Sequence, residues 1–390
     1  MGTYGSSEPN VLPALAQGSA EETSQDIVVL LGADVANREQ VNWQVTAAPN
    51  PHLLIVGESG FGKTYTIQCI LSELASNHVS AVVFDFGQGF IDASIPRART
   101  LDIGRAGVAL NPLVIHQSDG HGPVSVAQRV ADSFARVYPR IGVQQHALLR
   151  MAVLDVFRDA AITDDPATWT QPVPPLRLLQ SKLEQYAVAG DSSTKRTAAS
   201  VASHIATLFV FNVFRESGIE INWRSLFGNT TTILSFRGLE PAVAKLTTEF
   251  LLWHLIHYSE SVGRQRLRAF LILDEAHRLS SEDGSPVEKL LREARKFGIG
   301  LILASQQPED FTNVAISNTA TKLVFQVTDP RATFARMLGS KARDFSWPQV
   351  ADLITRLPRA HAYFLAGNVA RVVAITPLEE RRTKERQPAR

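Results

Sequence analysis

At 390 residues the chain can bury a large core and fold as two or three domains, or as one domain carrying an insertion. Apolar residues make up 45% and charged residues 20%, which excludes extensive disorder, while 39 basic against 38 acidic residues leave a net charge of +1, so any nucleic-acid surface must be local. The single cysteine, Cys69, excludes an intrachain disulfide framework and a multi-cysteine metal site, and fits a reducing compartment.

In chain order, residues 1–25 are rich in Gly, Ser, Pro, Ala and Glu without periodicity and read as a flexible arm. The opening MGTYGSSEPN lacks the basic and apolar regions of a signal peptide, and no apolar run approaches the about 18 residues of a membrane span. A cytoplasmic protein without a membrane partner is expected. DIVVLLGADVANREQVNWQV then reads as two strands around a polar turn, followed by a buried strand over Leu53 to Val56. Ile67, Ile70, Leu71 and Leu74 recur at helical spacing, with Cys69 among them as a structural thiol, and AVVFDFG supplies a second apolar strand.

Residues 124–222 are mostly helical in pattern, broken by the proline-rich QPVPP, and read as an insertion between core segments 26–123 and 223–376. Strand signals return at TTILSF, AFLILDEAH, IGLILASQQ and KLVFQV, and AHAYFLAGNVARVVAI reads as a closing hairpin. The charged tail, 377–390, has no apolar stripe and is expected to be solvated. The implied fold class is α/β, a central mostly parallel sheet flanked by helices, with the helical insertion added.

Gly57, Glu58, Ser59, Gly60, Phe61, Gly62, Lys63 and Thr64 match GxxxxGK[ST] at every fixed position, after a strand and before a helix. Such a loop curls its amides around phosphate oxygens at the positive end of a helix dipole. Lys63 would bridge the β and γ phosphates, Thr64 would ligate Mg²⁺, and Tyr65 adjoins them. In LILDEAH, Asp274 suits support of the metal, and Glu275 could orient and deprotonate the attacking water. Nucleotide hydrolysis therefore fits better than passive binding.

Three further positions are candidates with a plain alternative each. In VEKLLREARKFG, read as one helix, Lys289 with Glu293 and Arg292 with Glu288 read as solvated pairs, whereas Arg295 has no acidic neighbour at helical spacing. It is the guanidinium free to touch a γ-phosphate, on an adjacent subunit, or else a surface arginine. Ser305, Gln306 and Gln307 leave a strand together and would sense the γ-phosphate or cap the next turn. Asp85 ends the second strand, where it would hold a catalytic or metal-bound water, or simply start a turn.

Together HLLIVGESGFGKT, VVFDFGQG, LNPL, TTILSF, LILDEAH, RKFGIGLILASQQP and AYFLAGNVARVVAI resemble the HerA/FtsK superfamily of RecA-like motor ATPases. The resemblance implies ATP and Mg²⁺ as cofactors, Lys63 and Thr64 as Walker A, Asp274 and Glu275 as Walker B, Gln306 as sensor and Arg295 as a trans-acting finger. It also implies a homohexamer around double-stranded DNA, acting as translocase or helicase, with a nuclease or restriction complex as partner. Arg97, Arg99, Lys195 and Arg196 are candidate pore residues, and Gln88 stands where the family commonly has an acid. A protein-transport motor and a nucleotide-gated scaffold are the competing functions.

Overall fold

A computed structural model describes residues 26–87, 89–91, 93, 95–279, 282–328 and 332–385. The proposed arm at 1–25, Gln88 and the last five residues lie outside that set.

The chain opens with antiparallel β1 (Val28–Asp34) and β2 (Gln40–Gln44), then β3 (Leu53–Val56), α1 (Lys63–Ser76), β4 (Ser80–Asp85), β5 (Ala98–Asp102) and α2 (Ile103–Ala106). Helices α3 (Pro123–Val137), α4 (Val143–Asp159), α5 (Arg177–Ala189), α6 (Ser192–Phe211) and α7 (Trp223–Leu226) follow without an intervening strand. The second half runs β6 (Thr231–Ser235), α8 (Pro241–Val262), β7 (Ala269–Leu273), α9 (Pro286–Glu293), β8 (Ile299–Ser305), α10 (Asn313–Ser317) and β9 (Thr321–Val324). It closes with α11 (Ala332–Lys341), α12 (Trp347–Thr355), β10 (His361–Ala366), β11 (Val369–Ile375) and α13 (Leu378–Glu385).

These strands join into one sheet in the order β2-β1-β11-β10-β9-β3-β8-β7-β4-β6-β5. From β9 to β5 every pairing is parallel, whereas β10, β11, β1 and β2 add an antiparallel wing. Helices cover both faces of the parallel part, which is why its strands are continuous apolar runs rather than alternating ones. Leu54, Val56, Val82, Phe84, Leu271 and Leu273 face a core shared with α3, α4, α6 and α8. Their neighbours Leu53, Ile55, Val83, Phe270 and Ile272 face a second core under α1. Because β8 and β7 separate β3 from β4, the crevice at the carboxyl ends of β3, β8 and β7 is where such a sheet receives a ligand.

One strand not read from the sequence appears, and two expectations are corrected. β5 forms within the basic IPRARTLD stretch, where Arg99 donates to Thr232 Oγ1 at 3.1 Å and Arg97 lies 3.2 Å from His78 Nδ1. Strand pairing with the buried β6 outweighs the charge pattern there. The helix expected over 287–298 stops at Glu293 and tightens into a 3₁₀ turn over Ala294–Phe297, so Lys289 meets Glu260 on α8 at 2.7 Å, and Glu293 instead pairs with Lys296 at 3.5 Å. The tail is not simply solvated: in α13 Arg381 is 5% exposed and donates to the carbonyls of Leu30, Leu31 and Thr376, tying α13 to β1 and the end of β11.

Candidate nucleotide site

The loop from Gly57 to Gly62 leaves the end of β3 and enters α1, and two glycines make that path possible. Gly57 sits at φ 150°, and a Cβ there would come within 2.5 Å of the Phe325 Cβ, so the loop lies flush against the strand end of β9. Gly62 caps α1 at φ 111°, a left-handed conformation that aims the first helix amides into the loop. Glu58 anchors the loop from the side: its amide donates to the Gln326 carbonyl at 2.8 Å, and its carboxylate accepts from the Thr328 amide at 2.6 Å. Ser59 and Gly60 stay exposed at the tip, while Phe61 is half-buried and its carbonyl accepts from the Ala360 amide at 3.1 Å.

Lys63 is buried, and its ammonium donates to the Glu58 carbonyl at 2.9 Å, which keeps it inside the loop curl. Burial lowers its pKa, opposed by the carboxylates of Asp274, Glu275 and Glu58. Thr64 Oγ1 lies 3.4 Å from Asp274 Oδ2, although the two residues are 210 positions apart in sequence. Asp274 is pushed up to about 6, first by burial and then by the neighbouring Glu275. A hydroxyl and a carboxylate whose charge Lys63 offsets only in part form an all-oxygen donor pair of the type Mg²⁺ accepts. Tyr65 is turned to a different task, its hydroxyl accepting from the Leu378 amide at 2.9 Å.

Asp85 ends β4 and is 3% exposed. One carboxylate oxygen accepts from the Gly87 amide at 3.1 Å, while the other is buried without a partner among the described residues. Burial raises its pKa against the pull of the Gly87 and Phe90 amides. Nearby, the Gly89 carbonyl accepts from Gln68 at 2.6 Å, and a Cβ on Gly89 would come within 2.7 Å of Thr64 Cγ2. The segment after Asp85 thus reaches the Walker A helix.

Glu275 follows β7 in a left-handed conformation, φ 59°, unusual for a residue with a side chain and typical of strained functional positions. Its carboxylate lies 3.4 Å from His277 Nε2. The other ring nitrogen of His277 is 3.2 Å from Ser305 Oγ at the end of β8, and Ser305 in turn donates to Asp310. Gln306 follows Ser305 directly and is exposed. Neither His277 nor Asp310 stood out in the sequence: the first was visible only as the last letter of DEAH, and the second belongs to no periodic pattern.

Arg295 is exposed and donates to the Pro49 carbonyl. Pro49 precedes β3 and Arg295 precedes β8, so this guanidinium lies at the amino edge of the sheet, away from its own Lys63 at the carboxyl edge. The seven residues of β8 alone separate the two edges by about 20 Å.

Residues 37–120 match the family described as "Helicase HerA, central domain", and residues 240–345 match "Type IV secretion-system coupling protein DNA-binding domain". Over 367 residues the chain is 20% identical to the DNA double-strand break repair helicase HerA of Sulfurisphaera tokodaii, covering 90% of this chain and 68% of that protein. These matches make the chain similar to P-loop ATPases of the HerA/FtsK type. The VirB4 structure from Thermoanaerobacter pseudethanolicus superposes with a TM-score of 0.70 at 17% identity, over 89% of this chain and 96% of that one. The plasmid coupling protein TrwB in complex with ADP and Mg²⁺ gives 0.58 at 13% identity, over 84% and 85%. At such identities these two structures speak to the fold alone, a RecA-like α/β core with a mostly parallel central sheet. Among the described residues no helix is long and apolar enough to cross a membrane.

Proposed function

We propose that this HerA/FtsK-type protein is an ATP-hydrolysing motor that translocates on or unwinds double-stranded DNA as a ring of six identical subunits. The observation that carries the reading is the meeting of Thr64 with Asp274 beside a buried Lys63, which brings a phosphate cradle and an acidic strand end to one crevice. The HerA helicase likeness and the TrwB complex with ADP and Mg²⁺ support ATP, magnesium and DNA as its ligands. In this reading α3–α6 form an insertion in the motor core, and the motor serves a cytoplasmic repair or restriction complex.

Catalysis then follows from this chain's own groups. The amides of residues 59 to 63 bind the phosphate oxygens, and Lys63 exchanges the Glu58 carbonyl for them. Thr64 and Asp274 would hold the cation, which would supply positive charge beside the phosphate oxygens. Glu275 orients a water and accepts its proton as that oxygen bonds to the γ-phosphorus and the bond to the β–γ bridging oxygen breaks, releasing ADP. Gln306 senses the γ-phosphate, and Asp85, with one oxygen unpartnered among the described residues, holds a second water. Arg295, directed to the opposite edge, serves a neighbour's nucleotide rather than its own.

The test is ATP turnover with and without duplex DNA, run beside a mass measurement of the assembly. Turnover raised by DNA in a six-subunit assembly supports the motor. Turnover indifferent to DNA favours a protein-transport motor, and nucleotide binding without turnover favours a scaffold.

A further inference from the structure

His277 stands between the two strand ends that the hydrolytic reading depends on. β7 and β8 are neighbours in parallel register, Leu273 opposite Leu303, so the residues that follow them emerge side by side at the carboxyl edge. The 3₁₀ turn over Ala276–Arg278 folds the imidazole back into the gap. There Nε2 faces the Glu275 carboxylate at 3.4 Å and Nδ1 faces Ser305 Oγ at 3.2 Å.

Proton bookkeeping makes this chain directional. Asp310 as a carboxylate only accepts, and it already takes the Gln307 amide at 3.1 Å; the single proton of the buried Ser305 hydroxyl is donated to it as well. Ser305 must therefore accept from His277, which assigns a proton to Nδ1. Nε2 then attracts the ionised Glu275 only when it too carries a proton, so that the ring is an imidazolium and the carboxylate stays free to act as a base. Asp310 thus fixes the hydroxyl, the hydroxyl fixes the ring, and the ring fixes the base. Gln306 lies within the same segment, between Ser305 and the Gln307 amide that Asp310 holds.

We propose that His277 is a positioning residue that joins Glu275, through an ion-pair contact at Nε2, to the hydrogen-bonded end of β8, Ser305 and Asp310, so that the water-activating carboxylate and Gln306 are set together. The proposal deepens the hydrolytic reading and rests on it.

The experiment measures kcat, KM for ATP and nucleotide affinity for His277→Ala, Ser305→Ala, Asp310→Asn and the double variant His277→Ala/Asp310→Asn, with Glu275→Gln as reference. Removing a general base costs about 10²- to 10⁴-fold; loss of its positioning is expected to lower kcat about tenfold, with nucleotide affinity changed less than about twofold. His277→Gln, which retains a polar group of similar reach, should recover part of the loss. The double variant should lose no more than the worse single variant, because all three side chains act as one unit. Unchanged kcat in His277→Ala, or multiplied losses in the double variant, overturns the proposal while leaving the hydrolytic reading intact. Should His277→Ala fail to fold, Ser305→Ala decides: a full wild-type kcat there overturns the proposal equally. A wild-type protein that binds ATP without cleaving it defeats the hydrolytic reading itself.

Discussion

Glu249 in the helical layer and Asp274 at the sheet edge are both buried carboxylates whose pKa is raised first by burial, yet the protein treats them differently. Glu249, on α8, receives the Arg136 guanidinium of α3 at 2.5 Å, with Ser133 Oγ at 3.4 Å. Asp119 likewise pairs with Arg129, so α3 is tied down at two points by charges matched within the chain. Asp274 makes no ion pair among the described residues, its neighbour Glu275 adds like charge, and Lys63, which offsets only part of it, donates to a backbone carbonyl. A paired buried charge fixes a helix in place, whereas an unpaired set at a strand edge is suited to a charged ligand.

The sharpest way to break this contrast is Lys63→Ala. It should abolish nucleotide binding in an equilibrium titration and leave the helical layer intact by circular dichroism; undiminished affinity would remove the phosphate cradle from the account. Next comes Arg295→Ala, where loss of a trans-acting finger is expected to cost about 10³-fold in turnover. Mixing it with Glu275→Gln protein should restore part of the activity, because some interfaces then pair an intact Arg295 with an intact Glu275. No recovery in demonstrably mixed rings would make Arg295 a residue of the Pro49 contact alone.

Arg136→Ala probes the other region. Leaving Glu249 without its partner should cost about 3 kcal/mol in denaturant unfolding, with nucleotide affinity of the folded protein preserved. A loss under about 1 kcal/mol would mean that Glu249 finds water or another partner, and the contrast would weaken.

The smallest effect is one of pH. Asp274 titrates near 6 when folded, above its ordinary 3.8, so the ligand-free folded state holds the extra proton across that window. Its contribution to stability therefore falls as pH rises from about 4 to about 6, and the penalty is complete above the folded value. Between pH 5 and 7 the ligand-free wild type should lose thermal midpoint relative to Asp274→Asn, and magnesium with nucleotide should reverse that loss. Parallel curves for the two proteins would contradict an Asp274 charge that is offset only in part.

Much of this was legible in the chain itself, for physical reasons that differ from place to place. A run such as Leu53 to Val56 before Gly57 carries its own message, because a strand buried on both faces must be apolar throughout and a phosphate-binding turn requires glycines. Local rules fail where a distant partner decides. Arg99 enters a strand because β6 offers a backbone edge and Thr232, and Arg381 is buried because carbonyls of residues 30 and 31 lie beneath it. The His277 chain was hidden for the same cause: its members belong to two strand ends, 28 residues apart from His277 to Ser305, and only sheet register makes them neighbours.

The central claim is that the β3, β7 and β8 edge cleaves a nucleotide with Glu275 as its base. A single-turnover measurement on radiolabelled ATP with excess protein, comparing wild type with Glu275→Gln, tests it most directly. The account predicts that both proteins bind the nucleotide with magnesium, that the wild type releases phosphate, and that the glutamine variant holds intact ATP with cleavage slowed at least about 100-fold. Equal cleavage by the two proteins would contradict it.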